Sequence, residues 1–166
     1  SQLQQCLIIL KEQPADSLGN LKTCLGALGT DYTLTLSLPN TKALMNKGEL
    51  LKYSSDSLAF YLQITESFMG FNHEMNTFIH DQYINSIEPF FTKKLNYSKI
   101  VLPIHSEGLI IGGPEPDYSS FKNDMELYNL LTFKLETSLN QANRTEFLLD
   151  FLNRFKKFLE KKQNKD

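Results

Sequence analysis

The C-terminal part of the chain is a long stretch without glycine or proline, and it constrains the fold more than any other feature. This stretch covers residues 120–162, where apolar side chains recur at the spacing of one helical face: Leu127, Leu131, Leu135, Leu139, Ala142, Leu149, Leu152, Phe155 and Leu159. A polar stretch at residues 140–144 leaves a helical hairpin open as an alternative. The uninterrupted spacing favours one long helix over 120–162.

A second stretch, in the middle of the chain, has the same character. The cluster Ser54-Ser55-Asp56-Ser57 is typical of a helix N-cap, and apolar residues follow it at helical spacing as far as Glu88. This pattern predicts a long helix over residues 55–88, in which the apolar pattern from Leu58 to Glu88 extends for about 45 Å. Pro89 ends or kinks this helix. Valine occurs once, at Val101, whereas leucine is abundant, and this composition favours helices over sheets.

These patterns predict an all-α fold, a bundle of long antiparallel helices that forms a single domain over residues 1–166. Three shorter parts complete the predicted domain: a helical hairpin over 1–30, a connector and short helix over 31–53, and a cover loop over 96–120. The 96–120 segment is predicted to be irregular or a small β-hairpin, because short apolar runs there are separated by glycine and proline.

The composition excludes several classes of protein. Hydrophobic residues make up 41% of the chain and charged residues 22%, which excludes a disordered protein. The net charge of -2 gives no positive field for nucleic acid, so we expect no nucleic-acid partner. No apolar run reaches the roughly 18 residues that a membrane-spanning helix needs.

The two cysteines, Cys6 and Cys24, lie at symmetrical positions about residue 15, where the helical signals break. If residues 3–12 and 17–28 form a helical hairpin, the two thiols can face each other and a disulfide is geometrically allowed. The alternative is a pair of small buried apolar side chains, which is how free cysteines usually behave. The sequence leaves both interpretations open.

Residues typical of catalysis are few and scattered. Glu66, His73 and His80 share a helical face, but a spacing of seven residues corresponds to about 10.5 Å, which is too far for one metal ion. We therefore interpret them as a polar stripe, and a metal-assisted hydrolase that uses them is the enzymatic alternative. No Gly-x-Ser-x-Gly nucleophile motif occurs. The prediction is a protein that is not an enzyme and needs no metal or cofactor.

Two surfaces are candidates for binding. The first is the phenylalanine-rich face of the last helix, where some of the rings should form an exposed patch for a protein partner or a second copy of the chain: Phe147, Phe151, Phe155 and Phe158. The alternative is a small-ligand receptor with a pocket between the 97–118 loop and the 58–88 helix. Four side chains would supply its polar contacts: Tyr97, His105, Glu107 and Tyr118.

Residues 41–58, TKALMNKGELLKYSSDSL, resemble a family of uncharacterised bacterial membrane proteins with a single span, classed as a domain of unknown function. Two positions depart from the family's recurrent pattern, because Lys47 replaces its usual serine and Ser55 its usual asparagine. Residues 129–134 also resemble the family's last long helix. Four positions match the pattern: Gly48, Leu50, Asp56 and Leu58.

The resemblance implies a helical domain on the periplasmic or extracytoplasmic face of a bacterial inner membrane. Its tether would be a transmembrane helix that precedes Ser1 and is not in this sequence, and only that segment would contact the membrane. The family brings no assigned activity and no catalytic residue. The leading hypothesis is therefore a sensing, scaffolding or protein-interaction domain of a membrane-anchored protein.

Overall fold

The computed structural model describes residues 1–30, 33, 56–101, 105 and 107–163, and all regular structure in these ranges is helical. The predicted all-α class is confirmed for this part of the chain. The predicted connector and short helix at 31–53 lie outside the described residues. The described part holds these α-helices: α1 (Gln2–Glu12), α2 (Lys22–Leu25), α3 (Asp56–Gln82), α4 (Glu88–Lys94), α5 (Tyr97–Ile100) and α6 (Met125–Gln163).

The last helix, α6, runs without a break for 39 residues, where the sequence also allowed a hairpin. It begins at Met125 and not near residue 120, because a 3-10 turn over Tyr118–Asn123 precedes it. Asp124 lies at the junction, and its carboxylate accepts a hydrogen bond from the Leu127 N–H at 3.0 Å. This bond satisfies one of the backbone donors that a helix N-terminus leaves without a partner.

The middle helix changes its geometry just before a proline. A π-helical turn over Tyr83–Ile87 follows α3, and α4 then begins with Pro89 in its first turn. A proline within an α-helix has no N–H, and its ring clashes with the carbonyl one turn earlier. The wider π turn accommodates the proline, and the Glu88 N–H bonds to the Tyr83 carbonyl. The helical path therefore continues to Lys94 and does not end near residue 88.

The chain divides into two compact units. Within the described residues, the first unit combines 1–30 with 78–140, and the second combines 56–77 with 141–163. Both α3 and α6 therefore contribute one segment to each unit.

One buried cluster forms the centre of the first unit. Phe90 is 1% exposed, and its ring lies 6.0 Å from the Phe121 ring and 6.4 Å from the Phe91 ring. Helix α6 contributes Leu127 to the same cluster. Close packing explains Gly29, because a Cβ atom at that position would lie 2.6 Å from the Phe91 ring. The first unit thus has one core in which phenylalanine rings and aliphatic side chains are buried together.

Residues 1–30 fold back on themselves, and a disulfide joins the two halves. Cys6 on α1 and Cys24 on α2 are both buried, and their Cα atoms are 5.7 Å apart. The glycines in the second half make it a weak helix former. Accordingly, it is α-helical only in α2 and has 3-10 turns on either side, over Ala15–Leu21 and Gly26–Gly29.

The C-terminal end of α1 is held by a side chain from far along the sequence. The Lys122 ammonium donates hydrogen bonds to the carbonyl oxygens of Leu10 at 2.7 Å, Lys11 at 3.2 Å, and Gln13. The last carbonyls of a helix have no partner within it, and a positive charge there also complements the helix dipole. Lys122 therefore ties α1 to the 3-10 turn that precedes α6.

The predicted β-hairpin at 96–120 is not found, since the described residues of this segment contain no strand. The loop is held instead by Asn96, whose side-chain amide donates to the carbonyls of Gly112 at 2.6 Å and Pro114 at 3.0 Å. Proline has no N–H to donate to a strand ladder, and Gly113 adopts a positive φ of 83°. Both features favour an irregular path over paired strands.

Candidate functional site

An apolar groove of about 550 Å³ opens on the second unit. We call it the aromatic groove. Its walls are mainly aromatic residues, with two arginines, one isoleucine and one serine: Phe60, Tyr61, Ile64, Ser67, Phe68, Phe71, Arg144, Phe147, Phe151 and Arg154.

The spacing of the lining residues explains why they meet. On α3 they occur at positions 60, 61, 64, 67, 68 and 71, and on α6 at positions 144, 147, 151 and 154. Steps of three and four residues keep side chains on one face of a helix. Each helix therefore presents one continuous stripe to the aromatic groove.

Tyr61 is the centre of the ring contacts in this unit. Its ring stacks on Phe155, with centroids 4.8 Å apart and planes 6° apart, and it also lies 5.4 Å from Phe151 and 5.2 Å from Phe158. The Phe68 ring lies 5.8 Å from that of Phe151. Such tilted and stacked arrangements add to the free energy gained from burial alone.

The four predicted interaction residues take two different positions. Phe147 and Phe151 line the aromatic groove, whereas Phe155 and Phe158 pack against Tyr61 and are not part of its lining. Phe147 is 61% exposed, and the other three are half-buried. The structure thus divides the phenylalanines of this face between packing and an accessible surface.

The two arginines of the groove differ in their surroundings. The Arg144 guanidinium lies 3.6 Å from the centroid of the Phe71 ring, a cation–π contact. Arg154 forms an ion pair with Asp150, one turn earlier on α6. Within the described residues, Arg144 has no ion pair of this kind.

The α3 side of the groove was missed by sequence reasoning. Tyr61 and Phe68 belong to the apolar pattern of the 55–88 helix, and that pattern alone assigns them to a core. A usable signal was present, since the aromatic stripe on α3 and the one on α6 have the same three-and-four spacing. What the sequence lacks is the register that places Phe71 beside Arg144.

One of the four residues of the predicted ligand pocket, Tyr97, lines a cleft, and the other three lie outside its lining. A polar cleft of about 450 Å³ is lined by residues 93–97 and 112–116, and of the four it includes Tyr97. His105 and Glu107 are exposed to solvent and lie outside that lining. Tyr118 packs its ring 6.2 Å from Phe121, and its buried hydroxyl has no hydrogen-bond partner among the described residues. Burial, together with the charge of Glu115, raises the pKa of Tyr118.

The proposed metal ligands of the enzymatic alternative are separate as well. Glu66, His73 and His80 are exposed along α3. In the part of the chain that the structure describes, no group of three histidine, cysteine or acidic side chains is arranged to hold a metal ion.

Among the described residues, no helix is both long and apolar enough to span a bilayer.

Comparisons with known protein families, with curated proteins and with solved structures give no match. The resemblance carried by residues 41–58 therefore stays a prediction, and most of that stretch lies outside the described residues. The functional assignment accordingly depends on the chemistry of the aromatic groove.

Proposed function

We propose that this chain is a sensing or interaction domain whose binding surface is the aromatic groove. The observation that carries the proposal is that large aromatic side chains of the groove are left accessible to solvent: Phe60 is 58% exposed and Phe147 61%. Contiguous exposed apolar surface is costly in water and commonly marks a binding site. The lining offers rings and guanidinium groups, a set suited to holding a partner or ligand.

The proposal places the domain on the extracytoplasmic side of a bacterial membrane, in a membrane-anchored protein. The Cys6–Cys24 disulfide supports this compartment, because disulfides persist in oxidising environments such as the periplasm and are rare in the cytosol. The membrane anchor follows from the family resemblance of residues 41–58.

A bundle of antiparallel helices is the architecture that we propose for this surface. In the second unit, Tyr61 contacts Phe155, Phe68 lies 5.5 Å from Phe147, and Phe71 is covered by Arg144. In these contacts the residue numbers increase along α3 while those of the partners on α6 decrease, as they do between neighbouring antiparallel helices. A protein partner or a second copy of the chain can use such a face.

Site-specific photo-crosslinking tests this proposal. A photoreactive phenylalanine analogue at position 147 of the full-length gene product, expressed in its native cell, should give a crosslinked adduct. The same analogue at position 133 is the matched control, since Phe133 lies on α6 outside the groove and is 56% exposed. Equal yields of adduct at the two positions, or none at position 147, would contradict the groove as the binding surface.

The compartment is tested in the same cells. A thiol reagent that cannot cross the inner membrane should label a cysteine introduced at the exposed position 133 of intact, outer-membrane-permeabilised cells. Labelling only after the inner membrane is broken would place the domain in the cytoplasm and overturn this part of the proposal.

A further inference from the structure

We propose that the aromatic groove binds a single-chain amphiphile with a carboxylate head group, of the fatty-acid class. This inference rests on the proposed function in one respect, namely that the groove is the binding surface. It adds the chemical class of the ligand: an apolar body lies along the rings, and the carboxylate meets Arg144.

The size and lining of the groove fit a small apolar ligand. Its volume of about 550 Å³ is within the range of small-molecule pockets. The stripes on α3 and α6 touch each other, with Phe68 5.5 Å from Phe147 and Tyr61 5.4 Å from Phe151. An unbranched chain would therefore lie over the accessible rings of the groove and not between the two helices. A chain in that position would cover Phe147 and Phe60, the most exposed aromatic residues of the lining.

The charge of the groove lining determines which ligand head group it can bind. Arg144 is the arginine without an ion pair among the described residues, and the Phe71 ring beneath it holds its plane. A guanidinium presents its donors in a planar fork that matches the two oxygens of a carboxylate. Arg154 is already paired with Asp150, so it has less to offer an incoming anion.

The acidic residues near Arg144 in the sequence do not form an ion pair with it. Glu146 is two positions from Arg144 on α6, and residues at that spacing do not face each other across a helix. The Asp150 carboxylate forms an ion pair with Arg154. Arg144 is therefore a lining cation without an ion pair among the described residues, which favours an anionic head group over a cationic or neutral one.

The test is a binding series with ligands that differ only in their head groups. The 166-residue chain is titrated with a fatty acid that carries a dansyl group, and the probe is then displaced by dodecanoate, dodecyltrimethylammonium or dodecyl maltoside, each below its critical micelle concentration. We expect dodecanoate to displace the probe at a concentration at least tenfold lower than the other two. Equal potency of the three would overturn the assignment of the head group.

Matched variants locate the site. Arg144→Gln should weaken dodecanoate binding by roughly tenfold or more, the size expected for loss of a charge-assisted hydrogen bond. Lys157→Gln is the control and should change binding by less than about threefold, because Lys157 is an exposed cation of α6 outside the groove lining. Phe147→Ala should weaken all three ligands, whereas Phe133→Ala should weaken none. Circular dichroism checks that each variant folds, and a larger loss for Lys157→Gln than for Arg144→Gln would contradict the proposal.

The outcomes also separate this inference from the proposed function. A crosslinked protein at position 147 together with no dodecanoate binding would leave the groove as the binding surface and overturn the amphiphile. Sedimentation of the chain with anionic phospholipid vesicles, without binding of monomeric dodecanoate, would assign the groove to a lipid surface and also overturn it. Failure of both crosslinking and dodecanoate binding would remove the two proposals together.

Discussion

The two units of the chain differ in the size of their buried cores. In the first unit, eighteen residues form one buried cluster that includes Phe90 and Phe121. Other rings of this unit are exposed, namely Phe78, Tyr97, Tyr128 and Phe133. In the described part of the second unit, the buried apolar side chains are Leu62 and Leu148, and the rings are half-buried or exposed. Since burial of apolar surface is the main source of folding free energy, we expect the first unit to contribute more to stability than the second.

The largest expected effect follows from replacing one phenylalanine in each unit. Phe90→Ala should lower the free energy of unfolding by about 3–5 kcal/mol, because the ring is fully buried and leaves a cavity. Phe147→Ala removes an accessible ring and should cost less than about 1 kcal/mol. Urea unfolding followed by circular dichroism measures both values. Similar losses for the two variants would show that the units do not differ in this way.

A smaller effect is expected from removing the disulfide. The double variant Cys6→Ala/Cys24→Ala should lose about 3 kcal/mol, because the crosslink closes a loop with a sequence separation of 18 and restricts the unfolded chain. Amide hydrogen exchange should show the loss in residues 1–30 and in the 78–140 segment. Protection in residues 56–77 should change less, and an equal change in both units would indicate that they unfold together.

The smallest effect concerns the start of α6. Asp124→Asn should cost about 1 kcal/mol at neutral pH, because the carboxylate accepts the Leu127 N–H and pairs with Lys94 at 2.7 Å. Burial alone would raise the pKa of Asp124, but the Lys94 ammonium and the Leu127 N–H outweigh burial, so its pKa lies below the ordinary value. The same pair raises the pKa of Lys94.

The pH dependence of that effect has a definite sign. A carboxyl group with a lowered pKa in the folded protein stabilises it fully above its unfolded pKa, roughly pH 4. The stabilisation is then lost as the pH falls through the lower folded pKa. Urea unfolding at pH 7 and near pH 2.5 should therefore show the difference between wild type and Asp124→Asn shrinking in acid. A constant difference would contradict the role of the charge.

The sequence was informative where local patterns decide the structure. The all-α class follows from leucine-rich helical spacing and the scarcity of valine, and the spacing over 120–162 pointed to the long α6. The β-hairpin alternative at 96–120 was wrong for the described residues, because short apolar runs do not reveal that Asn96 binds the backbone at Gly112 and Pro114. A contact between residues so far apart in the sequence produces no periodic pattern from which it could be predicted.

The sequence predicted only part of the candidate site, because contacts between distant elements leave no local pattern. The phenylalanines of α6 were identified from their clustering, but the opposite wall, with Tyr61 and Phe68, required the register between two helices. Tyr97, His105, Glu107 and Tyr118 were grouped by their polarity within one loop. Sequence proximity in an irregular segment gives no direction for a side chain, and of these four Tyr97 lines the cleft at residues 93–97 and 112–116 whereas the other three do not.

The bond between Lys122 and the end of α1 has a consequence for the order in which the chain folds. The Lys122 ammonium and the Leu10 carbonyl are 112 positions apart, so the first unit is discontinuous along the chain. During synthesis, residues 1–30 leave the ribosome long before the segment that completes their core. The disulfide closes a much shorter loop, so it can hold residues 1–30 folded until the segment that completes their core has been synthesised. Its oxidation early in biogenesis would thus speed the slow, non-local step of folding.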